Sequence, residues 1–195
     1  MYKRQGLALA IVFGWQAWQN HQANQQAEAA ADFAQLMQQA QQGGASEEDR
    51  ESVAYLAEQM REKHGDTAYA VYAMLILANQ QMMTDNDPAA AADTLQWALE
   101  QIGSGEALSL VVRTRLARAQ YGAGQYEEAL ATVRGGDNTG AFEAILAELE
   151  GDILIANGDT DGAREAYVRA RDAGQQGGVG LLQRKLESLG VGSEA

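Results

Sequence analysis

The side chains best suited to chemistry are few. His21 and His64 are the two imidazoles of a 195-residue chain. An imidazole can shuttle a proton near neutrality or bind a metal, but either role needs a second group at working distance. Neither histidine has a carboxylate at metal-ligand spacing. His21 lies in a Gln-rich stretch. His64 closes "REKH", where basic residues suit the negative end of a helix. Both read as solvated polar or helix-end residues. The pairs Glu47-Glu48 and Glu127-Glu128 fall in first helical turns, which favour negative charge. The chain has no cysteine, which excludes disulfides, a thiolate nucleophile and a cysteine metal site. "GQQGGVG" at 174–180 is glycine-rich like a phosphate loop. It lacks the preceding strand and the lysine, and reads as a turn before the last helix. No set of groups converges for acid–base or nucleophilic work. The expectation is a protein that is not an enzyme and holds no cofactor and no metal.

The elements that would position these residues are helices. Ala, Leu, Gln, Glu and Arg dominate, and apolar residues recur at three and four. "AFEAILAELEGDILIANGD" puts Phe142, Ile145, Leu146, Leu149 and Ile153 on one stripe. Ser46 followed by Asp49 opens a helix. Gly65 suits the left-handed position after the helix that ends at His64. Asp87 before Pro88 reads as an N-cap followed by a first-turn proline. About nine helical segments follow from this punctuation. The formal net charge of -13 argues against nucleic acid and against a flat seat on anionic lipid.

The N-terminus carries an apolar run, "GLALAIVFGW", from Gly6 to Trp15. Even extended to Trp18 it is shorter than the roughly 20 residues that cross a bilayer. Lys3 and Arg4 precede it, and no Lys or Arg appears again until Arg50. That asymmetry predicts a cytoplasmic N-terminus and an exported remainder. Trp15 and Trp18 suit the membrane interface at the far end. The favoured reading is a truncated membrane anchor over residues 1–19, in which "MYKRQ" is not the natural start. A cleaved signal peptide and an ordinary soluble helix are the alternatives. An Ala/Gln-rich linker helix follows at 20–43, with Phe33, Leu36, Met37 and Ala40 on one stripe. Residues 46–190 are the repeat domain.

Within that domain a period of about 34 residues appears. Ala117 aligns with Gly151, Gly124 with Gly158 and Ala129 with Ala163. Small residues at Ala117 and Gly151 let a partner helix approach. The two later glycines end the first helix of each pair, and the two alanines mark the crossing. Tyr167 and Ala170 supply the bulky and small positions of the second copy, where the first copy has Val133 and Gly136. "AYAVYAMLILANQQMMTDNDPAAAADTLQWALEQI" looks like a degenerate copy with a longer turn, crossing at Ala90, Ala91 and Ala92. These features resemble the tetratricopeptide repeat. The fold class expected is all-α: a helical-hairpin solenoid preceded by a partial transmembrane and linker helix.

The wider arrangement resembles the YfgM-like family of ancillary SecYEG translocon subunits. "FGWQAWQNHQ" is similar to that family's anchor exit. "VAYLAEQMREKHGDTAYAVYAMLILANQQ" is similar to its first hairpin, and "VVRTRLARAQYGAGQYEEAL" and "LEGDILIANGDTDGAREAY" to its second and third. The resemblance implies a non-catalytic, single-pass scaffold of the bacterial inner membrane with its repeats in the periplasm. Its implied partners are the Sec translocon, a membrane-bound chaperone and exported chains in transit. A soluble periplasmic or cytoplasmic tetratricopeptide adaptor is the alternative.

In a solenoid the first helices of successive pairs line a concave groove. The repeat register puts Val111, Thr114, Arg118 and Tyr121 there, then Ile145, Glu148, Asp152 and Ile155. The degenerate copy adds Tyr72, Asn79 and Met82. The competing expectation is that the last helix and the linker helix fill the groove and make these core residues.

Overall fold

The computed structural model describes residues 2–42, 46–103, 107–136, 139–174 and 179–190. Side chains are described from Gly14 onward. Among the described residues every regular element is a helix. The chain forms two compact units that divide between Ile76 and Leu77, inside the third helix.

Unit 1 contains α1 (Tyr2–Gln42), α2 (Glu47–His64) and the start of α3 (Ala68–Met83). α1 runs without a break through the apolar run and the linker stretch, because no proline or paired glycine interrupts it. From Gly14 to Glu28 it is exposed on every side. Packing starts at Ala29 and continues through Leu36, both fully buried. Val53, Ala57 and Met60 of α2 supply the other side of that core. Phe33 meets Tyr69 and Tyr72 of α3, with ring centroids 5.6 and 6.3 Å apart. The linker stripe is therefore a packing stripe.

Two expectations about the end of α2 are corrected. Gly65 is right-handed, with φ -58°. The stop is made by Thr67, whose hydroxyl donates to the His64 carbonyl at 2.7 Å and whose N–H donates to it at 2.9 Å. The same hydroxyl accepts from the Ala70 N–H at 3.3 Å and opens α3. His64 is not a solvated end residue. It is buried, and its Nε2 lies 3.0 Å from Asp32 Oδ2 of α1. The Ser46 cap forms as expected, accepting from the Asp49 N–H at 3.1 Å.

Unit 2 contains the end of α3, then α4 (Pro88–Glu100), α5 (Ala107–Gly122), α6 (Tyr126–Arg134) and a 3-10 turn (Gly140–Phe142). It ends with α7 (Glu143–Ala156), α8 (Thr160–Ala173) and α9 (Val179–Ser188). The α5–α6 and α7–α8 hairpins are built alike. Gly124 and Gly158 have φ +75° and +87°, a region that glycine enters without steric penalty. The Gln125 N–H donates to the Gln120 carbonyl, and the Asp159 N–H to the Leu154 carbonyl, each at 2.9 Å. Ala129 and Ala163 are both fully buried at the helix crossings. α6 packs on α7, so the two hairpins stack side by side. The earlier turn between α3 and α4 follows the same plan with a polar residue. Asn86, at φ +52°, takes the left-handed place of the glycine. Asp87 then caps α4 by accepting from the Ala90 N–H at 3.0 Å. Of the alanines that follow, Ala91 and Ala92 are buried.

The small residue in the first helix of each hairpin is matched to the bulk opposite. A Cβ added to Gly151 would lie within 3.0 Å of three Tyr167 ring atoms. In the first hairpin Ala117 carries its Cβ, and the residue equivalent to Tyr167 is the smaller Val133. Both copies bury these positions.

Candidate partner-binding surface

The groove positions of unit 2 come from two helices. α5 places Val111, Thr114, Arg118 and Tyr121 at intervals of one turn, and α7 does the same with Ile145, Glu148, Asp152 and Ile155. Thr114 leaves the set: it is buried, and its hydroxyl donates to the Leu110 carbonyl one turn back at 2.7 Å. Val111 is half-buried and Arg118 is exposed. Tyr121, Ile145 and Ile155 are 36%, 42% and 41% exposed. Tyr121 touches Tyr126 of α6, with centroids 6.0 Å apart. In unit 1, Tyr72 is exposed at its edge while its ring rests near Phe33. Asn79 is exposed and Met82 half-buried.

Glu148 and Asp152 are already engaged. Lys185 of α9 reaches Glu148 Oε1 at 2.8 Å and the two oxygens of Asp152 at 2.7 and 2.9 Å. The Tyr167 hydroxyl donates to Asp152 Oδ1 at 2.7 Å, and the ammonium sits 5.5 Å from the Tyr167 ring centroid. Burial opposes the charge on Lys185, but hydrogen bonds to Asp152 and Glu148 outweigh it and raise its pKa above the ordinary value. Burial, then the adjacent Asp152 carboxylate, push the Tyr167 phenol well above its ordinary value. This cluster is a fastening. Leu186, fully buried, anchors the same helix, and Arg164 donates to the Leu189 carbonyl at its end. The last helix thus closes over part of the α7 stripe and leaves Ile145 and Ile155 at the edges.

Periodicity did not reveal a second cluster. Glu150, on α7, accepts from Arg134 Nε of α6 at 2.7 Å and from Arg169 Nη2 of α8. The Glu150 side chain is 12% exposed, while the two arginines are about half exposed, so water still reaches the arginine side of both pairs. The signal for it was present as an acidic residue off the apolar stripe, flanked in the fold by two arginines from neighbouring helices. Among the described residues no group of three metal-ligating side chains comes together, and no helix is long and apolar enough to cross a membrane.

Comparison with known proteins decides what kind of helical array this is. The family model of the tetratricopeptide repeat-like domain matches residues 4–191. The ancillary SecYEG translocon subunit of Haemophilus influenzae is 34% identical over 185 residues, which are 94% of this chain and 85% of that protein. Its counterpart in Escherichia coli is 32% identical over 190 residues, 95% of this chain and 85% of that one. The chain belongs to the ancillary SecYEG translocon subunit family. No solved structure matches it. The ancillary SecYEG translocon subunit family is a non-catalytic family of repeat proteins, so the chain is not an enzyme. Its working parts are surfaces for other proteins, and the exposed apolar residues of α5 and α7 are candidates for one.

Proposed function

We propose that this protein is a non-catalytic, membrane-anchored scaffold in the periplasm that binds the Sec translocon and a membrane-bound chaperone. Exported chains in transit are a further class of partner. One observation carries the reading: nearly the whole chain aligns with relatives named as ancillary subunits of that translocon. The exposed set Tyr121, Ile145 and Ile155, with Arg118 and half-buried Val111 beside it, is the proposed contact face. Asp152 contributes by holding α9 in place, and Tyr72 belongs to the unit 1 surface. Residues 1–19 act as the anchor segment, 20–43 as the linker and 46–190 as the repeat domain. The exposed Trp15–Trp18 pair, with ring centroids 5.3 Å apart, supports an interfacial seat at the end of the apolar run. Anchoring raises the local concentration of weakly binding repeats near a membrane channel.

The test uses a chromosomal copy tagged at its C-terminus. Photo-crosslinkers at Tyr121 and Ile155 are expected to capture translocon subunits in inner-membrane fractions. Replacing the apolar segment with a cleaved signal peptide should weaken capture sharply. Undiminished capture by that exported, unanchored protein would favour the soluble adaptor. No capture at either exposed position would remove the proposed face.

A further inference from the structure

Unit 1 contains an open cleft of about 530 Å³ between α1 and the turn that joins α2 to α3. This lies in the range of roughly 300–1,000 Å³ usual for binding pockets. Gln22, Gln25 and Gln26 form the α1 wall, and Lys63, Tyr69 and Tyr72 line the other side. His64 also borders it, but its Nε2 is committed to Asp32. The two tyrosines are backed by Phe33. The three glutamine amides make no hydrogen bond to any described residue.

We propose that this cleft holds an extended segment of unfolded polypeptide, recognised through its main chain. A glutamine amide is uncharged and both donates and accepts, so it pairs with peptide groups without selecting a side chain. Gln22 and Gln26 stand one helical turn apart, a rise of about 6 Å. An extended chain presents its same-side peptide groups every two residues, about 6.6 Å apart. The two amides therefore meet successive peptide groups on one edge of the bound segment. Alternate side chains of that segment point toward the tyrosine rings, which accept apolar groups of varied shape while their hydroxyls stay wet. The chemistry does not suit a compact ion. The amide wall is neutral, and Asp66 borders the cleft along with Lys63. The inference rests on the reading above that exported chains in transit are partners, and it assigns them a site other than the α5 and α7 face.

The experiment measures fluorescence anisotropy with the full chain in detergent micelles. The probe is a fluorescein-labelled eight-residue peptide of alternating serine and valine. A second probe is the same peptide N-methylated at its four central residues. Gln22→Leu/Gln26→Leu should weaken the first probe by at least about tenfold, the scale of two lost amide hydrogen bonds. The N-methylated probe should bind weakly to wild type and be indifferent to the substitution. Gln22→Ala/Gln26→Ala, which adds no adhesive surface, should match the leucine variant. Equal or tighter binding by the leucine variant would show plain apolar adhesion and overturn the proposal. So would the absence of peptide binding, or occupancy by N-acetylglucosamine oligomers in its place. Translocon capture at Tyr121 should survive both double variants, so the outcome here is separable from that of the proposed face.

Discussion

Gly151→Ala tests the match between small and large residues that the two hairpins solve differently. The added Cβ would overlap the edge of the Tyr167 ring, within 3.0 Å of three of its atoms at once. That ring is buried and tied to Asp152 through its hydroxyl, so it cannot swing aside freely. Overpacking of this kind costs about 1–3 kcal/mol, and loosening the Tyr167–Asp152 bond adds about 1–2 kcal/mol, since hydrogen bonds to charged groups are worth more than neutral ones. Alanine in a helix interior returns about 1 kcal/mol relative to glycine. The net expectation is a loss of about 1–4 kcal/mol, or several degrees in Tm for a chain of this size. The informative measurement is a cycle with Tyr167→Val, which copies the Ala117–Val133 solution of the first hairpin. In that background Gly151→Ala should be neutral or stabilising, so the coupling should reach about 2–5 kcal/mol, the sum of the overpacking and hydrogen-bond terms. Urea denaturation of the four proteins supplies the numbers. If Gly151→Ala changes stability equally in both backgrounds, to within about 0.5 kcal/mol, the ring contact is not what requires a glycine and the argument fails.

Ala129→Leu and Ala163→Leu should each destabilise by about 1–3 kcal/mol through overpacking, while the exposed Glu128→Ala should stay within about 0.5 kcal/mol; thermal melts rank the three. Asp87→Ala removes the α4 cap and should cost about 0.5–2 kcal/mol in the same assay. Stability should fall in alkali. Lys185 and Tyr167 both have pKa values raised in the folded state. Their contributions are complete below the unfolded values of 10.5 and 10.0 and are lost as pH rises through the higher folded values. Urea midpoints should therefore hold from pH 7 to about 9.5, about half a unit below the tyrosine value, and then decline. Lys185→Met should flatten the lysine part of that decline and speed amide exchange in α9.

The repeat register was legible because it rests on residues whose size and backbone freedom act locally. Gly124 and Gly158 are needed for the left-handed turn, and Ala129 and Ala163 for the crossing, whatever lies beyond them. Asn86 performed the same task less visibly, since asparagine has many other uses. What the sequence hid depends on distant partners. Nothing near His64 points to Asp32, which sits on another helix and turns an apparent end residue into a buried one. Gly65 looked like the stop signal of α2 because glycine so often is, yet Thr67 could close that helix and open the next with one hydroxyl. The α7 stripe gave Glu148 and Asp152 as groove residues. Their fate was set by Lys185, placed over them by the packing of Leu186. On α7, the groove positions that stayed exposed are Ile145 and Ile155, which Lys185 does not engage.

The unbroken run of α1 has a geometric consequence. A flexible tether fixes only how far a domain can wander, and its influence fades smoothly with length. A helix exposed from Gly14 to Glu28 fixes both height and heading, over about 22 Å at 1.5 Å per residue. Each residue added or removed there lifts or lowers the packed part of unit 1 by about 1.5 Å and turns it by about 100°. Two changes of similar length can thus present opposite sides of the same surface to whatever holds the apolar end. The length of this stretch sets a compass bearing.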